Sequence, residues 1–187
     1  MSKTVLVPVA DGTEEIEAVT IIDVLRRAGA EVTVASVGDL QITASRGVKL
    51  VADTRIAECV DKTYDLVVLP GGIPGAEHLR DDQDLKHILL RQQSQGRLFG
   101  AICASPAVVL EPHGLLRGRA ATCHPNFIQR LNHPSSAQSD IVFDQGCVTS
   151  RGPGTAMAFS LKLVELLFSK EKMEAVAEPM VIGRIEA

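Results

Sequence analysis

The sequence predicts an α/β fold built on a mostly parallel sheet covered by helices on both faces. Three observations predict it. Short apolar runs bounded by Gly, Pro and Asp alternate with longer segments of helical spacing. The short runs are continuously apolar rather than alternating, as in strands buried on both faces. Apolar residues make up 45% and charged residues 22% of 187, the composition of an ordinary globular chain with a sizeable core. With no internal repeat, low-complexity stretch or linker, residues 1–187 are expected to form a single domain.

Each element has its own reason. Residues 3–10 (KTVLVPVA) form an apolar run stopped by Asp11-Gly12, the first strand. Residues 14–28 place Ile16, Val19, Ile22 and Leu25 at helical spacing, with Gly29 as the C-terminal stop. Residues 31–37 are a second strand, and 41–44 with 48–52 flank Ser45-Arg46-Gly47 as a hairpin. Residues 64–69 (YDLVVL) end in Pro70-Gly71-Gly72 and read as a buried strand. A helix is predicted over 84–95, with Leu85, Ile88 and Leu89 on one face, and a strand over 97–102. Residues 120–123 are a further strand candidate. Residues 141–143 and 147–150 are joined by the turn Asp144-Gln145-Gly146. Residues 154–168 carry two apolar rows, 157/161/164/168 and 156/163/167, and so a helix buried on more than one side. A short helix over 170–177 precedes Pro179.

The net charge of −4, with both signs interspersed, gives no electrostatic reason to expect nucleic acid or an anionic membrane as partner. The apolar runs fall short of a membrane span, and no basic leader with a long apolar segment is seen. A cytoplasmic location is therefore expected, with Cys59, Cys103, Cys123 and Cys147 as reduced thiols.

Ligand sites in open α/β sheets form beyond the carboxyl ends of the strands, and Cys103 stands where its strand ends. Ser105 is suited to cap a helix and Pro106 to begin it. A thiol there faces unpaired N–H groups and the positive end of a helix dipole, so its pKa is expected well below the free value of about 8.5. The corner resembles the strand-to-helix turn that presents the nucleophile in α/β-hydrolases. Glu17 lies beside the apolar face of the first helix; half-buried, it would hold a proton and donate a hydrogen bond to a thiolate. Glu14 and Glu15 are expected to be solvated first-turn carboxylates. The Gly71-Gly72 backbone can approach an oxyanion, but its spacing does not fit a phosphate-binding glycine loop. His124, after residues 120–123, is a candidate proton shuttle. Cys59 and Cys147 are expected to be structural, and Cys123, His124 and His133 lack metal-ligand spacing, so no metal is expected.

The motifs DGTEEIEAV, VVLPGG, GAICASP, CHP and TSRGPGT occur together in one order, and through them the chain resembles the ThiJ/PfpI superfamily over its whole length. It is most similar to the branch of the Parkinson's-associated protein deglycase and bacterial YajL. The resemblance implies a flavodoxin-like three-layer sandwich and a homodimer; no cofactor is expected. It makes Cys103 the nucleophile and redox-sensitive thiol, Glu17 the carboxyl that holds it, and His124 the neighbouring histidine. It assigns the backbone amides of Gly72 and Ala104 to an anion pocket, and Arg46, Arg27 and Arg151 to the surroundings of pocket and dimer interface. It implies glutathione-independent conversion of methylglyoxal to lactate, or repair of glycated protein and nucleotide adducts, in carbonyl and oxidative stress. The alternative it carries is a redox-sensing stress chaperone acting through oxidation of Cys103. One departure narrows this: no carboxylate follows His124 to orient it, which argues against protease or glutaminase chemistry.

Overall fold

The computed structural model describes residues 2–134 and 138–182. The strands are β1 (Thr4–Val9), β2 (Glu31–Ser36), β3 (Gln41–Thr43), β4 (Lys49–Val51), β5 (Thr54–Arg55), β6 (Leu66–Leu69), β7 (Leu98–Ile102), β8 (Ile141–Asp144) and β9 (Cys147–Ser150). The helices are α1 (Glu15–Arg27), α2 (Gly75–Asp81), α3 (Gln83–Ser94), α4 (Ala156–Leu167) and α5 (Lys170–Ala177). Seven strands make the main sheet in the order β5-β2-β1-β6-β7-β9-β8; all neighbours are parallel except β8 against β9. β3 and β4 pair antiparallel as a separate hairpin. Helices α1, α4 and α5 pack together, while α2, α3 and the turn at Pro106–Leu110 make the other layer. The expected three-layer α/β sandwich is what forms.

The continuous apolar runs explain the centre. Val5, Leu6 and Val7 of β1, all of β6, and Phe99, Ala101 and Ile102 of β7 are buried. Both apolar rows of α4 contribute to burial, through Leu161, Val164, Ala156, Leu163 and Leu167. No helix among the described residues is long and apolar enough to cross a membrane.

Three expectations are corrected. Residues 120–123 form no ladder; Thr122 N–H instead donates to Thr149 Oγ1 of β9 at 2.9 Å. In α1 the buried face is Ala18, Ile21, Val24 and Leu25, whereas Ile16 is 56% and Val19 46% exposed. The helix carries two apolar stripes, and periodicity alone cannot say which one meets the sheet. Ser105 caps nothing: it is itself helical, and Ala104 C=O already accepts from Val108 N–H at 2.8 Å. The chain turns into the helix at Cys103, earlier than the Ser-Pro pair suggests. A wide turn follows, in which Glu111 N–H bonds Pro106 C=O at 2.9 Å.

Candidate functional site

The sheet reverses its winding at β1, and the segments that leave β1, β6, β7 and β9 meet beyond their carboxyl ends. This is where an open α/β sheet places a ligand crevice.

Cys103 leaves β7 with φ +64, in the left-handed region that a non-glycine residue occupies only at a cost. Its neighbours over-determine that conformation. Cys103 N–H donates to Ser150 C=O at 3.0 Å, and Cys103 C=O accepts from His124 N–H at 2.8 Å. Ser105 Oγ donates to Pro70 C=O at 2.6 Å, tying the end of β7 to the end of β6. The result is a sharp corner with the sulfur at its tip, as the comparison with the hydrolase turn anticipates.

Glu17 is 0% exposed, more deeply buried than the half-burial expected from its place in α1. Gly71 clamps it: Gly71 N–H donates to Glu17 Oε2 at 2.7 Å, and Gly71 C=O accepts from Glu14 N–H at 2.9 Å. A Cβ on Gly71 would lie 2.5 Å from Cys103 Cβ and 2.8 Å from Glu17 Oε2, so only glycine lets acid and thiol meet. Glu17 Oε1 is buried without a hydrogen-bond partner among the described residues.

Burial raises the Glu17 pKa from 4.5 to about 7, against the Gly71 amide and the Cys103 thiol and with a small addition from the Glu14 charge. The carboxyl therefore holds a proton near neutrality, as expected. The thiol departs from expectation. Burial first, and the Glu17 carboxylate second, push Cys103 up to about 12, while the amides of Gly72 and Ala104 hydrogen-bond the sulfur and oppose the shift. The expected amides are present, but Cys103 is only 9% exposed and sits beside an acid. Both contributions of Glu17 require its carboxylate form. A protonated Glu17 does not repel a thiolate and can donate to it. The ionisation near pH 7 thus belongs to the pair, which then carries one proton between oxygen and sulfur.

The same burial has a stability signature. With a folded pKa of about 7 against 4.5 unfolded, the contribution of Glu17 is full below pH 4.5 and is lost as pH rises to 7. The loss is about 3 kcal/mol. Glu17→Gln is expected to remove that pH-dependent loss. Urea midpoints of variant and wild type at pH 4.5 and pH 8 measure it; an equal difference at both pH values contradicts a protonated, buried Glu17.

The sulfur opens on a cavity of about 290 Å³ lined by Glu14, Ser45, Arg46, Gly72, Ala104, His124 and others. Ile73, Phe127 and Pro153 supply its apolar walls. His124 Nδ1 accepts from Asn126 N–H at 3.2 Å, which leaves the proton of the neutral ring on Nε2. Arg46 is exposed at the cavity, and its N–H donates to Glu15 Oε1 at 2.8 Å. Arg151 lies behind His124, with Nη1 3.2 Å from Asp140 Oδ1. Arg27 is not at the cavity. It pairs with Asp23 at 2.6 Å near the far end of α1, about 15 Å along the helix from Glu17. The placement beside the pocket drawn from the resemblance is corrected for this residue, because α1 points its last turn away from the strand ends. Glu14 and Glu15 are also corrected: both are buried, and both accept from Ser45 Oγ, at 2.6 and 2.8 Å. Sequence reasoning placed the Gly71 backbone at an oxyanion rather than against Glu17, and it missed Ser45, Ile73 and Phe127 as cavity residues.

The chain is similar to known proteins over most of its length. The DJ-1/PfpI family model matches residues 3–166. Protein DJ-1 homolog B of Arabidopsis thaliana is 48% identical over 183 residues, covering 97% of this chain and 42% of that protein, so the chain spans less than half its length. The glutathione-independent glyoxalase DJR-1.2 of Caenorhabditis elegans is 34% identical over 185 residues, 98% of this chain and 97% of that protein. The oxidised DJ-1 of Toxoplasma gondii superposes with a TM-score of 0.94 at 46% identity, covering 97% of this chain and 100% of that one.

Proposed function

The chain belongs to the DJ-1/PfpI family, and from that premise we propose that it is a glutathione-independent glyoxalase acting on methylglyoxal or its early adducts. The observation that carries this is the buried Glu17–Cys103 pair, one proton between two groups, at the floor of a small cavity beside the amides of Gly72 and Ala104.

In the proposed reaction, the proton passes from sulfur to Glu17 and the thiolate adds to the aldehyde carbon. The aldehyde oxygen faces the Gly72 and Ala104 amides and takes the proton from Glu17, giving a hemithioacetal. The Glu17 carboxylate then removes the hydrogen on that carbon as a proton and returns it to the adjacent ketone carbon, through an enediol. The first carbon is oxidised and the second reduced, so no external oxidant is needed. Water cleaves the resulting lactoyl thioester, releasing lactate and the thiol. His124, with its proton on Nε2, is placed to donate to the second oxygen. The cavity is at the small end for ligand sites, which favours a free oxoaldehyde over a bulky glycated protein or nucleotide adduct. Lactate release from methylglyoxal without glutathione, lost on substitution of Cys103, is the test.

A second reading, redox sensing in oxidative stress, is favoured by the unpartnered Glu17 Oε1, an oxygen that a proton would turn into a donor for an oxidised sulfur. Mild peroxide is then expected to modify Cys103 before Cys59, Cys123 or Cys147, which are buried away from this cavity. Peptide mapping by mass checks the order, and first oxidation at any of the other three counts against it. The exposed Ile16 and Val19, flanking Glu17 in α1, support the proposal that a second copy covers this face as a homodimer.

A further inference from the structure

Glu14 stands at the capping position just before α1 yet caps nothing: its side chain makes no bond to the helix amides. It forms no ion pair among the described residues, and it is only 8% exposed. A carboxylate spent on neither helix nor partner, and nearly buried, needs another reason. Its Oε2 accepts from Ser45 Oγ at 2.6 Å, and it lines the cavity that holds Cys103. Ser45 has a single hydroxyl proton and lies between two carboxylates. Glu15 has other donors, the amides of Arg46 and Val48 among them, which with Ser45 hold its pKa down despite burial. The Ser45 hydroxyl, 2.6 Å from Glu14 and 2.8 Å from Glu15, helps to hold Glu14 in place.

We propose that Glu14 is the charge filter of the Cys103 cavity, admitting uncharged α-oxoaldehydes and rejecting 2-oxo acids and phosphorylated carbonyl compounds. A carboxylate held in place on the wall of a small cavity repels an anion that must approach the sulfur. The other ionisable side chains lining this space are Arg46, whose exposed guanidinium is screened by solvent, Cys103 and His124; Glu17 lies fully buried beside the sulfur. The proposal rests on the reading of Cys103 as the atom that meets the carbonyl, and it narrows the substrates of that reaction to uncharged ones.

The test compares two alkylating probes of nearly the same shape, iodoacetamide and iodoacetate, at Cys103 of the full chain, with the modified residue identified by mass. Relative to N-acetylcysteine, wild-type Cys103 is expected to favour iodoacetamide over iodoacetate by about a further tenfold. Glu14→Gln is expected to remove most of that preference, and Glu14→Asp, which keeps the charge, to retain it. The iodoacetamide rate reports in each variant that the sulfur is still correctly presented. A wild-type preference no greater than that of N-acetylcysteine, or one unchanged in Glu14→Gln, overturns the filter. Lactate release without the charge preference removes the filter and leaves the chemistry. The charge preference without lactate release removes the chemistry and leaves the filter.

Discussion

Cys103→Ser is expected to lower kcat/KM for methylglyoxal by roughly 10³-fold or more. The substitution keeps the corner, the amides of Gly72 and Ala104, and the cavity. What it removes is an atom whose ionised form is within reach of Glu17. A hydroxyl ionises several pH units above a thiol, and a carboxyl with a pKa of about 7 cannot deprotonate it appreciably. Ser45, the other hydroxyl lining the cavity, contacts two carboxylates, but these are far too weak as bases to ionise it. Lactate formation followed against time, with free methylglyoxal in buffer as the reference, measures the fall. A serine variant within tenfold of wild type would place the chemistry elsewhere.

The largest structural effect is expected at Gly72. Its φ is +92, and a Cβ there would stand 2.3 Å from Gly12 C=O oxygen and 2.5 Å from Glu14 N. Both obstacles are backbone, so no side chain can swing aside. Left-handed strain and overpacking together predict a loss of roughly 3 kcal/mol or more for Gly72→Ala. The damage is directional. Relief of the clash displaces residues 12–14 at the entrance to α1, and Glu17 moves with that helix away from the sulfur. A denaturation midpoint and the iodoacetamide rate at Cys103 should therefore fall together. A stable variant with unchanged thiol reactivity would mean that the loop after β6 does not set the geometry of the pair.

Much of this site is legible in the sequence because its residues sit where strands stop. Cys103 after an apolar run, Glu17 one turn into the next helix, and Gly71-Gly72 after YDLVVL each follow from periodicity and turn chemistry. Burial was the harder quantity. Ile16 and Val19 read as core because their spacing is helical, yet they face outward and Glu17 faces in. Spacing fixes which residues share a face, and only tertiary packing decides which face is covered. The thiol shows the same limit. The amides that lower its pKa could be inferred from a strand-to-helix corner, but desolvation and the sign of its neighbour's charge depend on a clamp, Gly71, more than fifty positions away from Glu17 in the chain. Arg27 was placed near the pocket by resemblance alone, and helix direction puts it at the opposite end.

The pairing of Glu17 with Cys103 is tested most directly by the rate of Cys103 alkylation with iodoacetamide across pH 5 to 10. If the pair shares its first ionisation, the wild-type rate climbs up to pH about 7 and then levels, and Glu17→Gln shows no levelling there because the thiol must ionise alone. A wild-type rate that keeps climbing tenfold per pH unit above 8, or an inflection near 7 that survives in Glu17→Gln, would show that the carboxyl and the sulfur ionise independently.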